Sequence, residues 1–442
     1  MYHFIGIKGA GMSSLAVIMK QLGYEVDGSD LDKHFFTESE LIKNNIKFFP
    51  YNEKNIKEKM TIIKGLSITD DNVEVLAAKK LNLKIIDYNE MVGILTEKFN
   101  TICIAGCHGK TTTTSMISHV LDNIIGINYL IGDGTGHANP NSKYFALESC
   151  EYKRHFLLYK PYYAVILNID LDHVDYFKDI SDVIKAYEEF ANNTTHMVVA
   201  CGDDANVHRM NLTKKVAYFG LKETNDIYAT NIIYSKTGTS FDVIINNKLY
   251  YHFSLPIYGT HQLLDALAVI SVCYYENLDP AKVNENLKTF TGAKRRFTET
   301  LAGDSIIIDD YAHHPNEVLS TINAIKQKYP DYDIISIFQP HTFSRTAEFH
   351  QDIAKILSTT KAAYIMDIHP ARERQEDFPN ITKDIIISAM PNGHAITIND
   401  ANVLNQYHHA IFIFMSPNDV SKLENDLIAL KKAEKWQPKV NK

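Results

Sequence analysis

The chain is short of cysteine, and the five it has form no pattern. Cys103, Cys107, Cys150, Cys201 and Cys273 are scattered, odd in number and without a C-x-x-C pair. That excludes a disulfide framework and fits a reducing, cytoplasmic setting. A surplus of positive charge is also missing. Lys and Arg number 45 against 53 Asp and Glu, a net charge of −8, and the pI is near 6.2. Nucleic-acid footprints are basic, so no nucleic-acid partner is expected. Long apolar runs are absent as well. The longest, such as "YYAVILNI" and "HHAIFIFM", fall far short of the roughly 20 residues of a membrane helix, so no membrane association is expected. The start, "MYHFIGIKGAG", enters a strand pattern at once, and no signal peptide is expected. No low-complexity tract or short-period repeat occurs. What remains is a soluble globular composition, 45% hydrophobic and 22% charged. At 442 residues the chain is too long for one core, and the length suggests about three domains. Monomer and dimer both stay open.

The first block opens with "YHFIGIKGAGMSSLAVIMKQLGYEVDGSD". Residues 2–7 are a buried-strand candidate, glycines 6, 9 and 11 make a turn, and Leu15, Ala16, Ile18 and Met19 recur at helical spacing. "YEVDGSD" is the expected second strand, ending at Asp30. This β-loop-α-β order opens a Rossmann-type unit. The turn either packs a helix on a strand or lets backbone amides of Gly9, Ala10, Gly11 and Met12 approach a pyrophosphate at a helix N-terminus. Its spacing is G-x-x-G-x-G rather than G-x-G-x-x-G, because Lys8 takes the middle slot. Asp30 lies where an acid often meets a ribose hydroxyl.

The second block begins near Asn100. "CIAGCHGKTTTTSM" joins a buried strand to a helix through a glycine loop. It departs from the usual G-x-x-x-x-G-K-[ST] string, since Ile104 stands in the first glycine slot. A strand, a glycine loop and a helix start bearing Lys then Thr still make an anion cradle. Lys110 would reach the β- and γ-phosphates, and the Thr111 hydroxyl would ligate Mg²⁺. Two further strands end in polar residues. "YFALESCEY" places Glu148 after the first, and "YAVILNIDLDHVDYF" places Asn168, Asp170, Asp172 and His173 after the second. Strand C-termini of an open α/β sheet line one crevice, so Thr111, Glu148 and His173 are expected to converge on one metal site. Residues 225–256 alternate β-branched and polar residues around turns, which predicts antiparallel hairpins at the domain edge. A long amphipathic helix with a Gly-x-His start, carrying His261, follows.

The third block begins after "TGAKRRF". "SIIIDDYAHHPNEV", "DIISIFQPHTFSRT" and "AAYIMDIHPARE" repeat strand, polar loop and helix. They deliver Asp310, Tyr311, His313, His314, His341, Arg345 and Arg372 to strand ends of a third open α/β domain. The histidine pair lacks an H-E-x-x-H or a cysteine partner and is followed by Pro315. Substrate or phosphate contacts are therefore expected there rather than a metal.

These strings, in this order, resemble the Mur ligase family over essentially the whole chain. "HFIGIKGAGMSSLA" resembles the family's UDP-binding motif, and "GCHGKTTTT" its short G-x-x-G-K-T phosphate loop. "NIDLDHVDYF", "KRRF", "DDYAHHPNE", "FQPHTFSRT" and "HPARE" match further landmarks. The resemblance implies an α/β fold of three domains: a Rossmann-like UDP-sugar domain (1–98), a central P-loop-type ATPase domain (99–295) and a Rossmann-like C-terminal domain (296–442) for the amino acid and part of ATP. It implies a cytoplasmic ligase of peptidoglycan precursor synthesis, hence of cell-wall biogenesis, shape and division. ATP and Mg²⁺ would turn the lactyl carboxylate of UDP-N-acetylmuramate into an acyl phosphate, which L-alanine attacks. By motif, Gly106, His108, Gly109, Lys110, Thr111, Thr112, His261, Arg296 and Asp310 would bind ATP. Gly9, Ala10, Gly11, Met12, Asp30, Tyr311, His313 and His314 would bind substrate, and Thr111, Glu148 and His173 the metal. Lys110, His173, His341 and Arg345 would be catalytic.

Departures accompany the match. Lys8 and Cys107 replace residues usual in their loops, and Gln262 and Asp265 stand where asparagines are often found. "IIKGLSITDDN" only loosely follows a uridine-contacting segment, and "FMSPNDV" lacks the Gly-Ala-Gly that often precedes the family's last helix. Rival readings are a sister ligase that recycles a murein tripeptide, a nucleotide-dependent dehydrogenase and an inactive ATP-binding scaffold. The dehydrogenase leaves the phosphate loop without a task, and the scaffold does not need all of Lys110, Thr111, Glu148 and His173. Hinges are expected near residues 98 and 296.

Overall fold

The computed structural model describes residues 1–293 and 295–434. Lys294 of "KRRF" and the end of the expected C-terminal domain, 435–442, lie outside the described residues. Three sheets follow one another along the chain.

The N-terminal sheet has five parallel strands in the order Lys47–Pro50, Val26–Asp30, Tyr2–Ile5, Thr61–Lys64, Lys84–Asp87. Its first strand stops two residues earlier than the apolar run, because Gly6 turns the chain at φ +85°. The amides of Gly6 and Ile7 both bond to Ser29 O, at 2.9 and 3.0 Å. The strand order reverses on either side of Tyr2–Ile5. Its C-terminal end is therefore the switch point at which such sheets take ligands. The glycine loop occupies that end and leads into the helix Ala10–Gln21. The segment after Thr61–Lys64 lies beside it, so a Cβ on Gly6 would come within 3.1 Å of Ile68.

The central sheet has ten strands. Asn100–Ala105 lies between Tyr144–Glu148 and Tyr163–Ile166, all parallel. The sequence is in register with this choice, since all three strands are almost wholly buried and apolar. Antiparallel pairs close the edges. Ile227–Ser235, Gly238–Ile245 and Lys248–Leu255 form the expected hairpins, and Asn128–Ile131 pairs with Thr135–His137 at the other end. The C-terminal sheet runs Thr298–Ala302, Ser305–Asp310, Ala410–Met415, Asp333–Phe338, Ala362–Ile365, Gly393–Ala395, antiparallel only at its first strand.

Apolar side chains are buried on both faces of the central and C-terminal sheets. One apolar cluster crosses from the N-terminal into the central domain, joining Phe4, Leu15, Val92 and Leu95 to Phe145, Phe156 and Tyr187. Among the described residues no helix is long and apolar enough to cross a membrane.

Candidate active site

The central crevice is built by three neighbouring strand ends. Ala105 leads into Gly106–Gly109, Glu148 ends the next strand, and Ile166 leads to Asn168. Gly106 has φ +152°, and a Cβ there would stand 2.9 Å from Leu167 Cβ. Gly109 caps the helix Lys110–Ile124 at φ +83° and faces Asp265, whose Oδ1 would be 2.6 Å from an added Cβ. These positions admit glycine because the loop folds tightly against the next strand end and the helix Gly259–Tyr275. Asn168 fastens the loop from both sides: its Oδ1 accepts from His108 N at 2.9 Å, and its Nδ2 donates to His108 O at 3.0 Å.

Lys110 donates to Gly106 O, to Cys107 O at 3.2 Å and to Glu151 Oε2 at 3.2 Å. Burial opposes its charge, but the Glu151 carboxylate overrides that and holds it as ammonium. The Thr111 hydroxyl donates to Glu148 Oε1 at 3.0 Å, and Gly132 N donates to Glu148 Oε2 at 2.7 Å. His173, in the left-handed region at φ 51°, sets Nε2 4.0 Å from Glu151 Oε1. Burial pushes its imidazole toward the neutral form. Glu151 is 1% exposed, and its Oε1 has no hydrogen-bond partner. A buried carboxylate oxygen without a partner is costly, and it lies beside His173, one of the residues expected to take a cation. Sequence reading passed over Glu151, although it follows Glu148 by three residues in the quoted "LESCEY".

The C-terminal domain faces this crevice. Arg345 Nη2 donates to Asp172 Oδ1 at 2.6 Å, and Arg345 Nη1 lies 3.1 Å from His341 Nδ1. Burial raises the cost of the Asp172 charge, yet Arg345 holds its pKa far below the usual carboxylate range. Burial pushes His341 down to about 3, so it accepts from Arg345 as a neutral ring. Thr342 holds φ 64° between them, an uncommon conformation for a β-branched residue. It is tied by Thr342 N to His369 O at 2.9 Å and starts the helix Phe343–Leu357. Neutral His313 bonds Tyr311 O at 3.0 Å and pairs with Glu317 at 3.2 Å. Tyr311 carries the Arg296 guanidinium over its ring at 4.9 Å. Asp310 accepts from Phe297 N and Ala312 N, both at 2.8 Å, and burial raises it to about 6.

Between the two domains lies a cavity of about 1000 Å³. Of the nine residues expected around ATP, His108, Gly109, Thr112, His261, Arg296 and Asp310 line it. Asp265, also in its wall, is raised to about 7 by burial. The sugar-nucleotide candidates sit elsewhere, at the N-terminal switch point. Gly9 caps the helix Ala10–Gln21, and Gly11 presses on Tyr88, whose hydroxyl would be 2.8 Å from a Cβ. Asp30 is 6% exposed and accepts from Lys8 N and Leu31 N, both at 2.7 Å, so its carboxylate shapes the loop. Lys8 continues the work: its Nζ bonds Leu31 O, Lys33 O and the Glu38 carboxylate, pinning the segment that follows Asp30. Tyr311, His313 and His314 belong to the C-terminal side and are not part of this first crevice.

Three family models cover the chain in sequence: "Mur ligase family, catalytic domain" over residues 1–100, "Mur ligase middle domain" over 104–273 and "Mur ligase, glutamate ligase domain" over 295–416. Solved structures agree in fold. The UDP-N-acetylmuramate-alanine ligase MurC of Thermotoga maritima is 24% identical, with a TM-score of 0.81 over 98% of this chain and 99% of that one. A murein peptide ligase of Psychrobacter arcticus is 19% identical, with a TM-score of 0.70 over 98% of each chain. The MurF ligase of Thermotoga maritima, solved in complex with ADP, is 16% identical, with a TM-score of 0.64 over 93% of this chain and 96% of that one. Three successive domain matches along the chain lead to one conclusion: this chain belongs to the Mur ligase family.

Proposed function

We propose that this Mur ligase joins L-alanine to the lactyl carboxylate of UDP-N-acetylmuramate, with ATP converting that carboxylate to an acyl phosphate, as a step of peptidoglycan precursor synthesis. One observation carries the reading. Lys110 and His173 meet at Glu151 on the central domain, and Asp172, next to His173, pairs across the junction with Arg345, which holds His341 on the C-terminal domain. Phosphoryl transfer asks for positioning and charge neutralisation more than covalent help, and this arrangement supplies both. The cavity beside the phosphate loop suits ATP, and the glycine turn at Gly9–Met12 suits the pyrophosphate of a nucleotide sugar on the N-terminal domain.

Thr111, Glu148 and His173 would hold Mg²⁺. Their hydroxyl, carboxylate and imidazole are acceptable donors, and the unpartnered Glu151 oxygen marks where positive charge is wanted. When bound, the ion neutralises charge on the transferring phosphoryl group. Lys110 adds a second positive charge on the phosphate side. Arg345, held by Asp172 and His341, presents a fixed guanidinium to the acyl phosphate or the amino acid carboxylate. The C-terminal domain, seated over the crevice, shields the acyl phosphate from water.

The test is phosphate release from ATP and Mg²⁺ by the purified protein, with UDP-N-acetylmuramate and a panel of amino acids and peptides. Release that requires both the sugar nucleotide and L-alanine is the expected result. Release only with a murein tripeptide would assign the recycling reaction instead. Silence with every pair would leave an ATP-binding scaffold.

A further inference from the structure

We propose a transition-metal site at the junction of the central and C-terminal domains, made by His108, Asp170 and His314 and distinct from the Mg²⁺ site. The three residues come from three separate elements. His108 is in the phosphate loop, Asp170 follows the strand Tyr163–Ile166, and His314 caps the helix Pro315–Lys328. One ligand atom from each lies within 4.8 Å of the others. His108 Nε2 stands 3.6 Å from Asp170 Oδ2, and the two imidazole rings lie 4.5 Å apart. Neighbouring ligand atoms on a tetrahedral zinc are about 3.3 Å apart, so the set must draw in by up to about 1.5 Å to close on an ion.

The polar atoms of this cluster are poorly satisfied. His314 is 3% exposed, and its Nε2 has no hydrogen-bond partner. Its Nδ1 stands 3.4 Å from Asn316 N, a long contact; ligation through Nε2 puts the ring proton on Nδ1 and gives that contact up. Both ring nitrogens of His108 are buried without a hydrogen bond, their carboxylate neighbours Asp170 and Glu317 standing at 3.6 and 3.5 Å. Native proteins rarely leave a buried ring nitrogen such as His314 Nε2 without a hydrogen bond; at His108 burial opposes a charge, but Asp170 and Glu317 outweigh it and raise the imidazole to about 9, so a metal there takes the place of a proton. Asp170 Oδ2 accepts from Asn316 Nδ2 at 2.5 Å, which orients the carboxylate toward the pair. Two imidazoles and one carboxylate select zinc, cobalt or nickel over Mg²⁺, which prefers oxygen. A metal or a proton on His108 would meet the same need, since Asp170 and Glu317 favour positive charge there.

The consequence is mechanical. A cation at this point ties the phosphate loop to the first turn of the C-terminal helix. It sits in the wall of the cavity, which His108, Asp170 and Asn316 line. It therefore fastens the domain junction before nucleotide arrives, and excess zinc is expected to block nucleotide binding.

The experiment is a Co²⁺ titration of the full chain in excess Mg²⁺ and without nucleotide, followed by visible absorption. One equivalent is expected to bind with the d–d bands of a nitrogen–oxygen site and no thiolate charge-transfer band. His314→Asn keeps a helix-capping side chain but no imidazole. It should weaken binding at least tenfold, as should Asp170→Ala, whereas His173→Ala should leave the bands intact. Circular dichroism checks that each variant is folded. Weak, multi-equivalent binding that ignores His314→Asn and Asp170→Ala would overturn the site, and so would loss of the bands in His173→Ala.

Discussion

The two domain junctions of this molecule are built from opposite materials. Between the N-terminal and central domains the chain buries hydrocarbon: Val92 and Leu95 share a cluster with Phe145 and Phe156. Gly93 approaches so closely that a Cβ would stand 2.7 Å from Leu158 O. Between the central and C-terminal domains it uses charge. Asp170, Asp172 and Asp175 present themselves in turn to Asn316, Arg345 and Arg372, at 2.5, 2.6 and 2.5 Å. Lys236 pairs with Asp331 at 2.7 Å, and Gln327 accepts from Gly259 N at 2.7 Å. A cavity of about 1000 Å³ opens within this second junction. Apolar burial with close packing makes a joint that moves as one body. Polar pairs around a cavity exchange readily for water or ligand, so the second junction is the one suited to open and close.

The comparison assigns sugar binding to one side of the rigid joint and chemistry to the mobile one. Lys110→Ala is the largest perturbation of this arrangement. It should lower turnover by roughly 10³-fold, as expected for removing a charge that stabilises the transferring phosphoryl group. Calorimetric binding of the UDP-sugar should hardly change. A folded variant that has lost sugar binding would show that the two sites are not separate.

The second test addresses the charged junction itself. The Asp172–Arg345 pair is 10% exposed on each side chain, whereas Arg372, opposite Asp175, is 49% exposed. Removing one partner of a buried pair strands the other. Asp172→Ala should enlarge the radius of gyration in solution scattering without ligands and cut turnover by about 10²-fold. Asp175→Ala, at the exposed pair, should do neither, because exposed ion pairs contribute roughly 0–1 kcal/mol. Identical profiles for Asp172→Ala and the parent protein would remove the case for a polar latch.

Much of this was legible in the residues because it is local. Each strand, glycine loop and helix start is a pattern within about 15 residues, and the loop Gly106–Thr111 with Glu148 was found that way. The pairing of Asp172 with Arg345 spans 173 positions and depends on how two sheets meet. Asp172 was seen as a strand-end acid, but nothing nearby names its partner. Glu151 was missed because a buried carboxylate looks like a surface one until its neighbours Lys110 and His173 are in place. Asp30, expected to face a ribose, also accepts from the amides of Lys8 and Leu31, a local role its position in the motif did not announce. The identity of the Lys8 side chain gave no hint that it would reach Glu38. The shared apolar core was invisible for the same reason: alternation and periodicity mark a residue as inside without saying whose inside.

That shared core can be tested from its far end. His3 is fully buried in the N-terminal sheet, with Nδ1 2.8 Å from Asp27 and Nε2 3.4 Å from Glu74. Burial opposes its charge, but the two carboxylates outweigh it and raise the imidazole to about 9. In the unfolded chain histidine titrates near 6.5. The pairing therefore stabilises fully below about pH 6.5 and is lost as pH rises through about 9, a change on the order of 3 kcal/mol. His3→Gln should abolish this pH dependence. If the first joint is one cooperative unit, hydrogen exchange near the denaturation midpoint should show strands 100–105 and 163–166 losing protection with the N-terminal sheet as pH rises, after correction for intrinsic rates. The C-terminal strands 305–310 and 410–415, beyond the charged junction, should not follow. A response confined to residues 2–87 would mean that the apolar joint is no more cooperative than the polar one, and the contrast between them would fail at its strongest point.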